Sequence, residues 1–183
     1  MKKISLLILM LFWIIPAFSQ TIQLREEKDG YLTLMTSYMR ARVKSLEYVG
    51  ISLTTATNLS TNEKIILLGF YYDVDKTYTQ KGSRAIIKTY TDDIITLIQN
   101  TEDSRVVIDR KRVDDMTDTY RIFVNYFISE KELNKIINEG IQVIRIEALS
   151  GLKDYVFKED ALGGFLKSEY ALIMQKQDFG LDF

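Results

Sequence analysis

The chain contains no cysteine and no histidine, and its only tryptophan and only proline are Trp13 and Pro16. From Gln20 onward it has none of the four, which removes several catalytic strategies at once. Without histidine there is no Ser-His-Asp or Cys-His nucleophilic centre. Without cysteine there is no thiolate nucleophile and no disulfide. Without either, the usual zinc sites cannot be assembled, and no side chain has an unperturbed pKa near neutrality to act as a general base. What remains is carboxylates, Lys, Tyr and Ser, with oxygen ligands for calcium or magnesium.

Charge of one sign is also lacking. The 24 basic and 25 acidic residues leave a net charge of −1. The densest basic run, Arg110-Lys111-Arg112, is hemmed in by Asp109, Asp114 and Asp115. That balance argues against nucleic acid as a partner and against a basic membrane-binding face. Past residue 19 no apolar run approaches the roughly 20 residues of a spanning helix, so no transmembrane segment is expected there. No low-complexity linker divides the chain, so residues 20–183 read as one domain.

The first residues have their own pattern. Lys2 and Lys3 precede an apolar run from Ile4 to Ile15 broken only by Ser5, then Pro16 and Ala17-Phe18-Ser19. A positive start, a short apolar stretch and small residues at the end describe a secretory signal peptide over 1–19, cleaved after Ser19. No cysteine follows that position, so a lipoprotein anchor is excluded and export to the periplasm or cell exterior is expected.

Most of the remaining chain reads in short β-rich runs. Strands are expected over Tyr31–Tyr38, Leu46–Leu53, Ile65–Tyr72, Arg84–Tyr90, Asp93–Gln99, Arg105–Arg110 and Tyr120–Ile128, with another carrying Ile144, Ile146 and Ala148. The run Ile65–Tyr72 is apolar on both faces, as in a central strand covered on two sides. Ser129 and Glu132 stand in capping-box spacing. Leu133, Ile136 and Ile137 follow at helical spacing and Gly140 suits a helix end. A second helix is expected after Asp160 as N-cap, weakened by Gly163 and Gly164 at about 1 kcal/mol each. The fold class is mostly β: an antiparallel β-sandwich or barrel-like domain with two C-terminal helices, over about 130–139 and 161–176.

The stretch Ile-Ser-Glu-Lys-Glu-Leu-Asn-Lys-Ile-Ile-Asn-Glu-Gly-Ile-Gln-Val-Ile-Arg-Ile-Glu (128–147), with Lys-Glu-Asp-Ala-Leu-Gly-Gly-Phe-Leu-Lys (158–167), resembles the C-terminal half of small exported bacterial proteins of unassigned function. The resemblance implies a β-sandwich-like fold with appended helices. It brings no activity and no catalytic residues.

Several constellations are candidates for chemistry. Asp73 and Asp75 are two apart at a strand end, so in an extended segment both carboxylates face one way. Tyr71, Tyr72 and Tyr78 lie beside them and form a candidate ligand-binding rim, since Tyr offers contact area at low entropy cost. The same residues fit a solvated hairpin with tyrosines packed at a sheet edge. Asp114, Asp115 and Asp118, with Thr117 and Thr119, are the densest acidic cluster and a candidate calcium site. They lack the sixth-position glycine and the acidic twelfth residue of an EF-hand, and a charged loop is the alternative. Ser150 and Lys153 have S-x-x-K spacing, but Ser150 follows a strand and the companion motifs are absent. Asn58-Leu59-Ser60 is a glycosylation sequon. With the common catalytic groups missing, the expected function is an exported, non-enzymatic binding or structural module of the bacterial envelope, with a protein, glycan or envelope component as partner. The alternative is a carboxylate-based hydrolase of envelope or extracellular glycans.

Overall fold

The computed structural model describes residues 21–43, 48–73, 79, 81–99, 105–109, 119–148 and 151–178. The expected signal peptide over 1–19 lies outside them. Eleven strands are described: β1 (Ile22–Lys28), β2 (Tyr31–Thr36), β3 (Met39–Arg42), β4 (Tyr48–Asn58), β5 (Lys64–Asp73), β6 (Arg84–Thr89), β7 (Ile94–Ile98), β8 (Arg105–Asp109), β9 (Thr119–Phe127), β10 (Ile141–Ala148) and β11 (Gly151–Val156). Two helices, α1 (Glu130–Glu139) and α2 (Gly163–Asp178), lie in the C-terminal part. One sheet has seven strands in the order β1-β2-β4-β5-β9-β8, with β3 also paired to β4, and the other has the order β11-β10-β6-β7. Every pairing is antiparallel. The described residues are therefore mostly β with two C-terminal helices, and the sheets do not close into a barrel. They meet at one corner, where Gln99, directly after β7, bridges to Tyr126 of β9.

Alternation decides which side chains enter the core. In β5, Ile66, Leu68, Phe70 and Tyr72 are buried, and they face Val49, Ile51 and Leu53 of β4 and Val124 and Tyr126 of β9 across the ladder. The smaller sheet supplies Ala85, Ile87, Ile95, Leu97, Ile144, Ile146 and Tyr155 from its inner side. The expectation that β5 is covered on both sides holds only in part. On its other face Leu67 and Tyr71 are half-buried, and Ile65 remains 40% exposed.

Three strands are invisible to periodicity. In β1 only Ile22 is even half-buried, so no alternation marks it. It is held by its ladder to β2 through the Asp29-Gly30 turn, where φ is 52° and 78°, the left-handed pair that a two-residue hairpin needs. Its Arg25, Glu26, Glu27 and Lys28 make an edge that discourages further pairing. β3 is four residues long. β11 carries Lys153 on its inner side, with Nζ 5.3 Å from the centre of the Tyr155 ring. Lys153 is therefore a strand residue, and Ser150 lies outside the described residues.

The capping box forms as expected. Ser129 Oγ accepts the Glu132 N–H at 3.2 Å, and the Glu132 carboxylate accepts the Ser129 N–H at 3.0 Å. Leu133 and Ile136 of α1 are buried. Lys135 pairs with Asp93, and the Thr91 hydroxyl donates to Glu139 at 2.5 Å, tying α1 to the β6–β7 turn. Gly140 closes the helix at φ 75° and ψ 172°, a region that glycine alone occupies freely. A Cβ there would lie 2.6 Å from Asp160 Cγ. The second helix begins two residues later than expected. Asp160 Oδ1 accepts the Gly163 N–H at 2.8 Å and the Ile141 N–H at 3.1 Å, so Ala161 and Leu162 make a turn before the helix. Helical bonding then starts from the Leu162 carbonyl, which accepts the Leu166 N–H at 2.9 Å. Docking compensates for the two glycines: Leu166 and Ile173 are buried, and Gln177 Nε2 donates to Thr57 Oγ1 at 2.8 Å.

Candidate binding face on the seven-stranded sheet

The face of the larger sheet turned away from the core gathers half-buried aromatic rings. Its ladder sets residues in rows: Arg40, Gly50, Tyr71 and Phe123 in one, Ser52, Gly69 and Asn125 in the next, then Thr54, Leu67 and Phe127. The two glycines explain how the rings sit. A Cβ on Gly50 would come within 3.1 Å of Tyr71 Cβ, and one on Gly69 within 2.7 Å of Phe123 Cε2. Each ring lies down on a residue with no side chain, a packing that offsets the weakness of glycine in a strand.

Tyr38, just before β3, completes the cluster. Its ring centre is 5.4 Å from Tyr71 and 5.4 Å from Phe123, the second contact being edge-to-face at 86°. Burial, with the Tyr71 phenol adding to it, pushes the Tyr38 hydroxyl up to about 12. Arg40 Cζ stands 5.8 Å from the centre of the Tyr71 ring, within cation–π range. Phe127 and Ile65 continue the apolar strip and are each 40% exposed, and Tyr48 is also exposed. Beneath the rings, Ser52 Oγ, Thr54 Oγ1 and Asn125 Oδ1 are buried with no hydrogen-bond partner among the described residues.

Of the expected tyrosine rim, Tyr71 and Tyr72 lie among the described residues, on opposite faces of β5. Tyr71 belongs to this outer cluster. Tyr72, its neighbour in β5, points the opposite way and is 2% exposed, with its ring 6.1 Å from that of Tyr155. Burial pushes its hydroxyl up to about 12, with the Thr79 hydroxyl opposing. Asp73 ends β5 opposite Arg121 in the ladder. Asp75 and Tyr78 lie outside the described residues, as do Asp114, Asp115 and Asp118. Among the described residues, no group of three or more acidic side chains is placed to hold a metal ion. Asn58 Oδ1 accepts the Ser60 N–H at 2.9 Å and the Thr61 N–H at 3.2 Å, so the sequon forms the β4–β5 turn.

The chain matches no family profile, no curated protein and no solved structure.

Elsewhere, Glu147, Asp154 and Asp93 are ion-paired. A shallow cavity of about 420 Å³ is lined by Lys81, Gly82, Ser83, Glu147, Ala148, Gly151 and Leu152. Its one carboxylate, Glu147, is held below the usual range by the hydrogen bond from Arg84, 2.5 Å away. Asp154 is likewise held down by the Arg145 guanidinium, and Asp93 by the Lys135 ammonium. Glu169 of α2 is pushed upward by burial and is fully enclosed.

Phe123, Arg40, Gly50 and Gly69 are the residues that sequence reasoning did not single out. A glycine inside a strand marks a close approach, and that was the available signal. Which aromatic approaches each glycine depends on the register, which periodicity does not reveal.

Proposed function

We propose that residues 20–183 form an exported, non-catalytic binding module of the bacterial envelope that engages a glycan or protein ligand through the outer face of the seven-stranded sheet. The observation that carries this reading is the Tyr38–Tyr71–Phe123 cluster, continued to solvent by Phe127 and Ile65. Aromatic groups half-sunk in a rigid sheet lose little freedom on binding, and an apolar strip bordered by polar groups is typical of an interaction surface. Export by a signal peptide over 1–19 is part of the proposal. Mass spectrometry of the secreted protein should find Gln20 at its N-terminus, and retention of Met1 would overturn that part.

The hydrolase reading has less support. It needs two carboxylates in one pocket, one with a raised pKa, whereas the carboxylate of the described cavity is committed to Arg84. The test is the melting temperature of the purified protein against panels of glycans and envelope proteins, with and without calcium. A ligand at 100 times its Kd adds roughly 2.7 kcal/mol. The expected result is a shift with one ligand class that disappears in Tyr71→Ala. A shift that survives in Tyr71→Ala and in Phe127→Ser would move the site elsewhere.

A further inference from the structure

Four of the five most exposed large apolar side chains among the described residues stand on one surface. They are Leu152 at 63%, Ile94 at 60%, Ile98 at 57% and Val156 at 49%. All project from the outer face of the four-stranded sheet, on its two edge strands β11 and β7. The ladder orders this face into three rows. The first is Leu152, Glu147, Arg84 and Ile98, the second Asp154, Arg145, Ile86 and Thr96, and the third Val156, Val143, Lys88 and Ile94.

Charged residues fill much of the rest of the face and its β6–β7 turn, and they are paired. Arg84 and Glu147 meet at 2.5 Å, Arg145 and Asp154 at 2.6 Å, and Lys88 and Asp92 at 2.6 Å. The apolar residues stand at the corners. A ligand of one charge sign would break these pairs. A surface bearing the same pattern, turned over, would extend them.

We propose that this face is the contact between two copies of the chain, packed sheet on sheet about a twofold axis parallel to the strands and lying between β10 and β6. That operation exchanges β11 with β7 and β10 with β6. It sets Leu152 against Ile98 of the second copy, Val156 against its Ile94, and Glu147 against its Arg84, each contact occurring twice as in any isologous interface. Arg145 falls opposite Ile86 and Lys88 opposite Val143, so the long stems lie on apolar neighbours and like charges meet only diagonally across the axis, where Arg145 keeps its Asp154 partner and Lys88 its Asp92 partner. Two sheets stacked about 10 Å apart with strands nearly aligned is a standard packing. The footprint is roughly 14 Å by 17 Å from strand spacing and rise. That is below the roughly 800 Å² per partner of a standard interface, so the dimer forms at high concentration and dissociates on dilution. The contact is independent of the ligand-binding reading, which uses the other sheet.

The experiment is sedimentation velocity of the purified protein from about 10 μM to about 1 mM, a range chosen to bracket weak association. The average mass of the wild type, and of Phe127→Ser on the other sheet, should rise toward twice the monomer. Leu152→Lys alone and Ile98→Asp alone should each stay monomeric. An equimolar mixture of the two should associate again, because Lys at 152 then faces Asp at 98 across the interface while the reciprocal Ile98–Leu152 contact is intact. Val156→Lys mixed with Ile94→Asp provides the same test should either of the first pair fail to fold by circular dichroism. A wild type that stays monomeric at the highest concentration overturns the proposal. So does association undiminished in the single variants, or a mixture no better than its components.

Discussion

Glu169 is the one described carboxyl group that folding takes wholly out of water, and its titration should govern how stability responds to pH. It lies on α2, fully buried, with neither oxygen in hydrogen-bond geometry with a described partner. Burial raises its pKa above the ordinary glutamate value, and only the Thr36 hydroxyl opposes the shift. The sign follows from linkage. A carboxyl whose proton is held more tightly in the folded state contributes full stability below its unfolded pKa of about 4.3. That contribution is lost as pH rises through the higher folded value, because folding then has to bury a charge or hold a proton. Leaving a buried group unsatisfied costs about 1–3 kcal/mol, and more for a charge. Glu169→Gln, close to isosteric with the protonated acid, should therefore match the wild type near pH 4 and exceed it at pH 8 by about 1.4 kcal/mol for each unit by which burial raises the pKa. For a domain of this size each 1 kcal/mol corresponds to roughly 2–4 °C in melting temperature. Urea denaturation of both proteins from pH 4 to pH 8 measures the difference. Comparing the two cancels the opposite contribution of Glu147, Asp154 and Asp93, whose pKa values are lowered. Parallel stability curves across that range would refute the reasoning.

Other predictions follow from single contacts. Gly69→Ala places a Cβ 2.6 Å from Ser52 Oγ and 2.7 Å from Phe123 Cε2. It should destabilise the protein by about 1–3 kcal/mol, as overpacking does, and shift the Phe123 ring resonances in an NMR spectrum. Ser129→Ala removes one half of the capping box and should cost about 0.5–2 kcal/mol in urea denaturation. Leu133→Ala opens the core beneath α1 and should cost about 2–5 kcal/mol by the same assay. Asp160→Ala frees the N–H groups of both Gly163 and Ile141, so hydrogen exchange should speed up at those two amides and leave the β4–β5 ladder unchanged.

The parts of the fold legible in the sequence are those where one local rule dominates. A continuous apolar run marked β5, alternation marked β9, where Val124 and Tyr126 are buried, and the Ser129–Glu132 spacing marked α1 to the residue. β1 escaped because a strand with almost no buried face has no alternation, although Asp29-Gly30 is a hairpin signal in its own right. The later start of α2 has a tertiary cause, since Asp160 also serves the Ile141 N–H across the chain. The candidate site was less legible. Tyr71 stood out by composition, yet its partners Tyr38, Arg40 and Phe123 reach it only through strand pairing over Gly50 and Gly69. Adjacency of Tyr71 and Tyr72 suggested one cluster, whereas neighbours in a strand point to opposite faces.

We propose that the aromatic outer face of the seven-stranded sheet holds the ligand. Co-sedimentation of the purified protein with isolated bacterial envelopes tests it most directly, comparing wild type, a Tyr71→Ala/Phe127→Ser double variant and Leu152→Lys on the other sheet. Wild type and Leu152→Lys should pellet with the envelopes, and the double variant, folded by circular dichroism, should stay in solution. Pelleting of the double variant to the same extent as wild type would contradict it.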